Sequence, residues 1–278
     1  MTIKQVKAQN VEEVDRGEAD DPQRVAEYCG PILRHMLATE RDNLPSQSYM
    51  SKQVDINEKM RGILVDWIIE VHLRFRLMPE TLFLTINLID RYLVKTQILR
   101  TRLQLVAVAA LLIASKYEEI YVPELNDFVF ISDNAYTRQE ILEMESSILI
   151  TLEFNITICS SYRFLQRFWK VASNKKELFH LAQYLIELTL IEQRMLIYTP
   201  SQIAASALWL AIRIMYREMG RWTPALQQYS GYSEYQLKPC FKDMCILFTG
   251  IENCSLKMVR SKFGLQRFSQ VALIKIST

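Results

Sequence analysis

Residues 104–112 read QLVAVAALL, and residues 202–210 read QIAASALWL. The two stretches align at an offset of 98 residues and share a Gln, two Ala and the final Leu. Residues 88–93 (LIDRYL) and 185–190 (LIELTL) align at an offset of 97, in the same order along the chain. Two segments at nearly one offset indicate a duplicated helical unit, joined near residues 155–160. Because Ala lets neighbouring helices approach closely, the Ala-rich stretches are predicted to be the central helix of each unit.

The Gly and Pro content and the capping signals of the rest of the chain are typical of an all-helical protein. Only seven Gly and eight Pro occur among 278 residues, which disfavours sheets with many tight turns. Thr101, Thr137 and Thr199 each stand three residues before a Gln or Glu, the spacing of a capping box. Apolar periodicity predicts helices over 31–41, 56–76, 80–95, 102–118, 123–129, 137–152, 161–172, 178–194, 200–219, 224–230 and 233–250. Residues 151–160 (TLEFNITICS) are predicted to be an extended link.

Composition and charge exclude several classes of function. The formal net charge is +2 and no stripe of Lys and Arg dominates any segment, so binding of nucleic acid phosphates is unsupported. The longest apolar runs, 105–114 and 203–212, are about half the length that crosses a bilayer. The polar and acidic residues 1–27 do not have the pattern of a signal peptide. We therefore expect no nucleic acid partner and no membrane partner.

The cysteines and histidines form no pattern that predicts a metal site. Five Cys are an odd number at irregular spacing, which indicates reduced thiols in a cytosolic or nuclear protein. A zinc site built from Cys240, Cys245 and Cys254 would lack a paired CxxC and a nearby His. The three histidines, among them His72, are scattered and are interpreted as ordinary surface or core residues. No metal and no cofactor are expected.

Residues 60–71 read MRGILVDWIIEV and place apolar side chains on two sides of one helix. At about 100° per residue, one apolar stripe consists of Met60, Ile63, Leu64, Trp67 and Val71. The second stripe, nearly opposite, consists of Val65, Ile69 and Leu73. The polar strips between them contain Arg61, His72 and Arg76 on one side and Asp66 and Glu70 on the other. Because an ordinary surface helix has one apolar stripe, the sequence leaves open which stripe is buried and what the other binds.

Six stretches of the chain resemble the motifs of a known family. They are MRGILVDW (60–67), LIDRYL (88–93), LQLVAVAALLIASKYEEIYVPE (103–124), MESSILITLEFNI (144–156), PSQIAASALWLA (200–211) and WTPALQQYSGYS (222–233). Together they resemble mitotic cyclins, the B-type more than the A-type, from about residue 28 to residue 250. The resemblance implies an all-α fold of two tandem five-helix cyclin boxes with a preceding N-terminal helix.

The resemblance also implies a domain organisation. We expect an N-terminal tail over residues 1–27 and an N-terminal helix with a linker over 28–54. The first cyclin box is expected over 55–156 and the second over 157–250. Residues 251–278 are then a C-terminal extension.

In functional terms, the resemblance implies a regulatory subunit rather than an enzyme. Mitotic cyclins bind and activate a cyclin-dependent protein kinase, control progression from G2 into mitosis, and dock Arg-x-Leu peptides of substrates and inhibitors. We therefore expect a heterodimer with a kinase catalytic subunit, located in the nucleus and cytoplasm. No catalytic residue and no cofactor are expected in this chain.

Five residues match the positions with which the family binds the kinase: Lys116, Glu145, Leu149, Phe154 and Ile156. Lys116 and Glu145 match a pair that hydrogen-bonds the backbone beside the kinase C-helix. The other three match an apolar pocket for that helix. The alternative interpretation is that Lys116 pairs with Glu119 on the surface and that Phe154 belongs to the core.

Eight residues match the family's substrate-docking patch: Met60, Ile63, Leu64, Trp67, Glu70, Arg100, Leu103 and Gln104. The resemblance implies that the apolar side chains accept the Leu of an Arg-x-Leu peptide and that Glu70 attracts its Arg. Arg61 and Asp90 match a structural ion pair inside the first box. The alternative is that the apolar residues are core and that Arg61 and Asp90 are solvated surface charges.

Three departures from the family pattern have predicted consequences. Gly62 stands where the family more often has Ala, which weakens the helix by up to about 1 kcal/mol. Pro31 lacks an N–H, so we expect the N-terminal helix to be kinked or to begin late. The segment before that helix is shorter than the tail in which mitotic cyclins usually carry a destruction box, although RHML (34–37) and RDNL (41–44) fit its minimal pattern.

Four alternative functions are weighed against this interpretation. An A-type, S-phase cyclin is disfavoured by Tyr117 in SKYEE and by the segment WTPALQQYSGYS. A cyclin-box protein of the transcription-factor type would need a basic face, which the near-neutral charge disfavours. An enzyme would need a motif such as a P-loop, HExxH or Gly-x-Gly-x-x-Gly, and none occurs in the sequence. An inert helical scaffold would not need an apolar stripe beside Glu70.

Overall fold

The structure, a computed structural model, describes residues 13–18, 20–172, 175–217 and 220–274. These residues form twelve α-helices and several short 3₁₀ turns, and they contain no β-strand. The helices are α1 (Cys29–Thr39), α2 (Glu58–Phe75), α3 (Pro79–Lys95), α4 (Leu103–Glu118), α5 (Leu125–Ile131), α6 (Arg138–Thr151), α7 (Ser161–Ala172), α8 (Lys176–Ile191), α9 (Pro200–Tyr216), α10 (Pro224–Ser230), α11 (Glu234–Gly250) and α12 (Met258–Phe263). The predicted all-α fold is confirmed.

Helix α4 is the centre of the first helical unit. It packs against α3 and α6 and also contacts α2 and α5. Every residue from Leu105 to Ala114 is buried, and Ala107, Ala109 and Ala110 have no exposed surface. The small side chains allow several helices to pack around α4, as the Ala-rich sequence predicts.

Helix α9 has the same role in the second unit. It packs against α7, α8 and α11, and Ala204, Ala205, Ala207 and Ala211 are completely buried. The two units therefore repeat one arrangement, which confirms the duplication predicted from the sequence repeat. They contact each other through α2 with α8 and through α3 with α7.

Capping side chains begin several helices as the sequence predicts. Thr137 forms a reciprocal capping box at α6, and the Thr199 hydroxyl accepts a hydrogen bond from the Gln202 N–H at the start of α9. Ser233 forms a further capping box at α11. These contacts satisfy N–H groups that have no partner within the first turn of a helix.

Several predicted helix boundaries differ from those of the structure. The Thr101 capping box does not form, because Thr101 lies in a 3₁₀ turn and α4 begins at Leu103 without a side-chain cap. The helix predicted over 178–194 ends at Ile191, because Glu192 has extended backbone angles.

Helix α1 begins at Cys29, so that Pro31 lies in its first turn. The first four N–H groups of a helix have no partner within the helix, so the missing N–H of Pro31 costs nothing there. The expectation that α1 begins late is therefore wrong.

The C-terminal segment folds back onto both units. Helix α12 packs against α2 of the first unit and α8 of the second. Val259 and Phe263 have no exposed surface, so the segment contributes to the core. The sequence predicts no helix here, because a helix of six residues gives less than two turns of periodicity.

Candidate partner-binding surfaces

Arg61 and Asp90 form a buried ion pair between α2 and α3. Arg61 Nε and Nη2 each donate at 2.7 Å to one carboxylate oxygen of Asp90, and the two residues are 2% and 1% exposed. The Tyr49 hydroxyl donates to the same carboxylate at 2.7 Å. Burial, and then the Asp90 charge, raise the pKa of Tyr49 above its ordinary value, so the hydroxyl stays protonated. The alternative of two solvated surface charges is wrong.

Arg61 also connects the two helical units. Its Nη1 donates to the backbone carbonyl oxygens of Leu190 at 2.9 Å and Ile191 at 3.3 Å, at the end of α8. A bidentate pair with extra carbonyl contacts uses most of the donors of the guanidinium group. This side chain therefore fixes α2 to α3 and α8 at the same time.

The structure separates the two apolar stripes of α2. Val65 and Ile69 are 1% and 0% exposed and belong to the core. On the other stripe, Ile63 is 51% exposed and Trp67 is half-buried, whereas Val71 is buried. On this stripe the side chains of Met60, Ile63 and Trp67 therefore reach the surface, whereas Leu64 and Val71 are buried.

The eight residues of the predicted docking patch differ in exposure. Ile63, Glu70 and Arg100 are exposed, Met60, Trp67 and Gln104 are half-buried, and Leu64 and Leu103 are buried. The helices that carry most of them, α2 and α4, are in contact. The surface therefore has an apolar floor and a partly exposed rim. A purely core interpretation does not fit the exposure of Ile63.

Arg100 is held by a neighbouring acid that the sequence analysis missed. Its backbone N–H and Nε each donate to the Asp55 carboxylate at 2.8 Å, and Nη2 lies 2.7 Å from the same group. These contacts with Arg100 lower the pKa of Asp55. Arg100 therefore has a fixed position at the edge of the docking patch.

Asp66, on the polar strip of α2 that also contains Glu70, binds the C-terminal segment. Its Oδ1 accepts a hydrogen bond from the Met258 N–H at 2.9 Å, at the start of α12. Burial raises the pKa of Asp66. One turn earlier, a Cβ added to Gly62 would lie 3.2 Å from Leu256 Cδ1, so the glycine permits a close approach of this segment. Sequence reasoning missed both contacts because the partners are distant in sequence, with a separation of 192 residues between Asp66 and Met258.

Lys116 and Glu145 form an ion pair between α4 and α6. Lys116 Nζ donates to the two carboxylate oxygens at 2.7 and 2.9 Å, and the side chains are 50% and 12% exposed. The alternative pairing of Lys116 with Glu119 is wrong, because the Glu119 carboxylate accepts instead from the Met78 N–H and the Thr81 hydroxyl.

Large apolar side chains lie exposed in the segments on either side of this ion pair. Phe154, the last residue of the turn after α6, is 66% exposed, so the interpretation of Phe154 as core is wrong. Leu149 and Ile156, the other two matched residues, are half-buried. Four further residues that the sequence analysis did not single out are Tyr117, Ile120, Tyr121 and Ile150, with exposures of 49%, 86%, 90% and 68%. Sequence alone could not distinguish these residues from core.

The extended link that follows Phe154 is fixed by polar contacts. Asn43 Nδ2 donates to the Thr157 carbonyl at 2.8 Å, and Arg91 Nη2 donates to the Asn155 carbonyl at 2.8 Å. The backbone of Phe154 itself has a positive φ of 55°. These contacts fix the backbone that carries the exposed Phe154 ring.

No metal site was expected, and the described residues contain no cluster of three or more His, Cys, Asp or Glu that could hold an ion. All five cysteines are free. Within the described ranges, no helix is long and apolar enough to span a bilayer.

Two models of one protein family match adjacent parts of this chain. The model described as Cyclin, N-terminal domain, matches residues 31–157, and the model described as Cyclin, C-terminal domain, matches residues 159–277. These two ranges correspond to the two helical units with the segments that pack on them.

Curated relatives and a solved structure agree with this match. G2/mitotic-specific cyclin-1 of Medicago sativa subsp. varia is 44% identical over 260 residues, which cover 94% of this chain but only 60% of that protein. G2/mitotic-specific cyclin-B of Hydra vulgaris is 42% identical over 264 residues, covering 95% of this chain and 72% of that protein. The structure of a viral cyclin from herpesvirus saimiri superposes with a TM-score of 0.71 at 21% identity, over 78% of this chain and 96% of that one. The last likeness concerns the fold alone.

Proposed function

This chain belongs to the cyclin family, in its B-type mitotic group, and we propose from that premise that it binds and activates a mitotic cyclin-dependent protein kinase. In this proposal the chain itself performs no chemistry, and it acts at the G2-to-mitosis transition in the nucleus and cytoplasm. The observation that carries the proposal is the exposed apolar surface that flanks the Lys116–Glu145 pair.

Exposure of this apolar surface to water is energetically unfavourable in an isolated chain. Ile120 and Tyr121 are 86% and 90% exposed, and Ile150 and Phe154 are 68% and 66% exposed. A large exposed apolar patch usually indicates a protein-binding site. Polar anchors within an apolar surface add orientation, because each charge-assisted hydrogen bond across an interface has a defined geometry.

Activation would then be a matter of differential binding. An active kinase has its C-helix Glu paired with the catalytic Lys, and a partner that binds this state better shifts the population toward it. A shift from 1:99 to 99:1 requires a preference of about 5.5 kcal/mol. An interface of standard size, roughly 1,600 Å², is sufficient for such a preference.

Helix α1 offers a second contact for the same partner. Val25, Tyr28 and Ile32 are spaced three and four residues apart and are 47%, 54% and 47% exposed. This spacing places apolar side chains along one side of α1 and of the turn before it. We propose that the exposed side chains of Tyr28 and Ile32 form this second contact with the kinase.

The docking patch on α2 supports recruitment of Arg-x-Leu peptides. Ile63 and the half-buried Trp67 provide an apolar surface for the Leu of the peptide, and exposed Glu70, on the same helix, provides a negative charge for its Arg. Separating the two interactions on one rigid helix gives the peptide a defined direction. Substrates that contain the peptide would be held near the active kinase.

The kinase proposal is tested by adding the chain to an inactive mitotic cyclin-dependent kinase and measuring phosphorylation of a histone-type substrate. We expect Lys116→Ala with Glu145→Ala to lower the stimulation at least about tenfold, since two charge-assisted hydrogen bonds are lost. The matched control is Arg260→Ala with Glu252→Ala, which removes another solvent-accessible pair, of 3.1 Å, in the C-terminal segment. Absence of stimulation by the unaltered chain, or full stimulation by the Lys116 and Glu145 variant, would refute the proposal.

The docking proposal is tested with two substrates of the activated kinase, one with an Arg-x-Leu peptide and one short peptide without it. Ile63→Ala should raise the KM for the first substrate and leave the second unchanged, because only the docked peptide contacts the patch. Phe130→Ala, which truncates an apolar residue of α5 that is 73% exposed, is the control. An equal effect of Ile63→Ala on both substrates would contradict docking at α2.

A further inference from the structure

An acidic segment ahead of α1 is bound to the second cyclin box. Asp15 belongs to the short 3₁₀ segment Glu13–Glu18, yet its side chain is only 1% exposed. Its Oδ1 accepts hydrogen bonds from Arg167 Nη1 at 2.7 Å and from Lys170 Nζ at 2.9 Å. Lys170 Nζ also donates to Glu18 Oε2 at 2.6 Å. We call Glu13–Glu18 the acidic strap.

The receiving surface on α7 is a built cationic site. Arg167 and Lys170 are three residues apart, so their side chains share one face of the helix. The Arg167 guanidinium lies 5.6 Å from the ring centroid of Tyr229 in α10, a helix that packs against α7. The two cationic side chains are only 12% and 23% exposed. Such shielded cations require nearby anions, and the strap supplies them.

The Asp15 carboxylate remains charged in this site. Burial acts to raise its pKa, but hydrogen bonds and charge contacts with Arg167 and Lys170 lower it by more. A buried carboxylate between two cations is held by charge-assisted hydrogen bonds, which are stronger than those between neutral groups. The strap is therefore anchored by Asp15 rather than by apolar burial.

A second buried carboxylate holds the other end of α1. Glu40 directly follows α1, is 6% exposed, and accepts from the Ser201 N–H at 2.9 Å and the Ser201 hydroxyl at 2.8 Å. Ser201 lies in the first turn of α9, so this contact is also with the second box. Helix α1 itself fully buries only Gly30 and Leu33. The carboxylates on either side of α1 therefore contribute to its position, together with the packing of Leu33.

We propose that Arg167 and Lys170 form an intramolecular binding site for a short acidic peptide segment, that its occupant is the acidic strap, and that occupation fixes α1 so that Tyr28 and Ile32 are presented outward. The presentation of α1 to a kinase rests on the function proposed above, whereas the strap site does not. Release of the strap frees the N-terminal end of α1 while Glu40 holds its C-terminal end.

The strap site is tested by amide hydrogen exchange on the full chain without a kinase. Asp15→Asn and Lys170→Gln should each speed exchange in α1 by about tenfold or more, as expected for loss of a charge-assisted hydrogen bond, and leave α9 unchanged. The effects in the double variant should be less than additive, because both changes remove the Asp15–Lys170 contact, whereas the Arg167 and Glu18 contacts are each lost in only one of them. Asp20→Asn, at an exposed acid beyond the strap, is the matched control and should have no effect.

Unchanged exchange of α1 in both single variants, or fully additive effects in the double variant, would overturn the strap site. The role in presentation is tested by the affinity of the same variants for the kinase. We expect Asp15→Asn to bind about fivefold more weakly, because α1 must then be ordered during binding. Increased exchange with unchanged kinase affinity would overturn the role in presentation. If the unaltered chain does not bind a kinase, the proposed function fails and the exchange result alone decides the strap site.

Discussion

The two cyclin boxes each bury one ion pair at equivalent positions, but they take the cation from different places. Asp90 and Glu187 align in the sequence repeat at an offset of 97, each on the helix before the Ala-rich central helix. Asp90 pairs with Arg61 from the preceding helix of the same box. Glu187 pairs with Lys262, whose Nζ donates to its two oxygens at 2.8 and 2.7 Å, from α12 after the box.

The difference shows how a repeated unit acquires different connections. Both pairs are almost completely buried, with side-chain exposures of 2% and 2% in the first and 2% and 0% in the second. Arg61 also reaches carbonyl groups at the end of α8, so the first pair joins the two boxes. Lys262 joins the C-terminal segment to the second box. The same acid position therefore supports a link between boxes in one case and a link to a terminal segment in the other.

The largest expected effect comes from removing either cation. Arg61→Met and Lys262→Met should each lower the free energy of unfolding by about 3–5 kcal/mol, because each leaves a buried carboxylate without its partner. Equilibrium unfolding in urea, followed by circular dichroism, measures this loss. Arg102→Ala, which breaks an exposed pair of 3.2 Å with Glu140, should cost less than about 1 kcal/mol and is the control.

Neutralising the acid that remains in each variant should distinguish the two ion pairs by how much stability is recovered. Adding Glu187→Gln to Lys262→Met should recover much of the loss, because the neutral side chain can still bond to Gln183, whose Nε2 lies 3.1 Å from Glu187. Adding Asp90→Asn to Arg61→Met should recover less, because the carbonyl groups of α8 remain without the Arg61 donor. Equal recovery in the two boxes would mean that the contact of Arg61 with α8 contributes nothing to stability.

The sequence predicts most of the fold because its main signals are local. The Ala-rich repeat locates the two central helices, and capping residues such as Thr137 and Thr199 begin helices where expected. The Thr101 box fails because a 3₁₀ turn competes with it. Lys262 was not recognised as the partner of Glu187 because its contact is made 75 residues away, through a helix too short to have a periodic pattern.

The candidate surfaces are less predictable, because exposure is a property of packing. The family resemblance identified Lys116 and Phe154, and the structure gives their exposure and partners. The resemblance could not identify Ile120 and Tyr121 as exposed, since apolar residues in a helical protein are usually core. Asp55, which holds Arg100, has no local signal in the sequence either.

An effect of intermediate size on stability is expected from pH, through His72 and the neighbouring charge of Lys262 in the second pair. His72 on α2 is 3% exposed, and its Nε2 lies 2.9 Å from the Met78 carbonyl oxygen, which fits a donating N–H. Burial, and then the positive charge of Lys262, lower the pKa of His72 to about 3. In the unfolded chain the pKa of His is about 6.5, so the unfolded state binds a proton first as the pH falls.

Stability should consequently decrease on acidification. Between pH 7 and pH 5, His72 should account for a loss of about 2 kcal/mol, because the folded state cannot take up the proton that the unfolded state binds. His72→Gln, which keeps a donor for the Met78 carbonyl, should remove this part of the slope in urea unfolding at the two pH values. His35→Gln is the control, since His35 is exposed. An unchanged slope in His72→Gln would show that His72 is not held neutral.

The smallest expected effect concerns the place where the C-terminal segment touches the first box. Gly62→Ala should gain up to about 1 kcal/mol from helix propensity. The new Cβ would lie 3.2 Å from Leu256 Cδ1 and 3.7 Å from Ile191 Cγ2, so Leu256 must shift and most of the gain should be lost. In a Leu256→Ala background the contact is absent, and the full gain should appear. Urea unfolding of the four proteins in this cycle should therefore give a coupling of about 0.5–1 kcal/mol, whereas additivity would mean that the segment does not constrain α2 at Gly62.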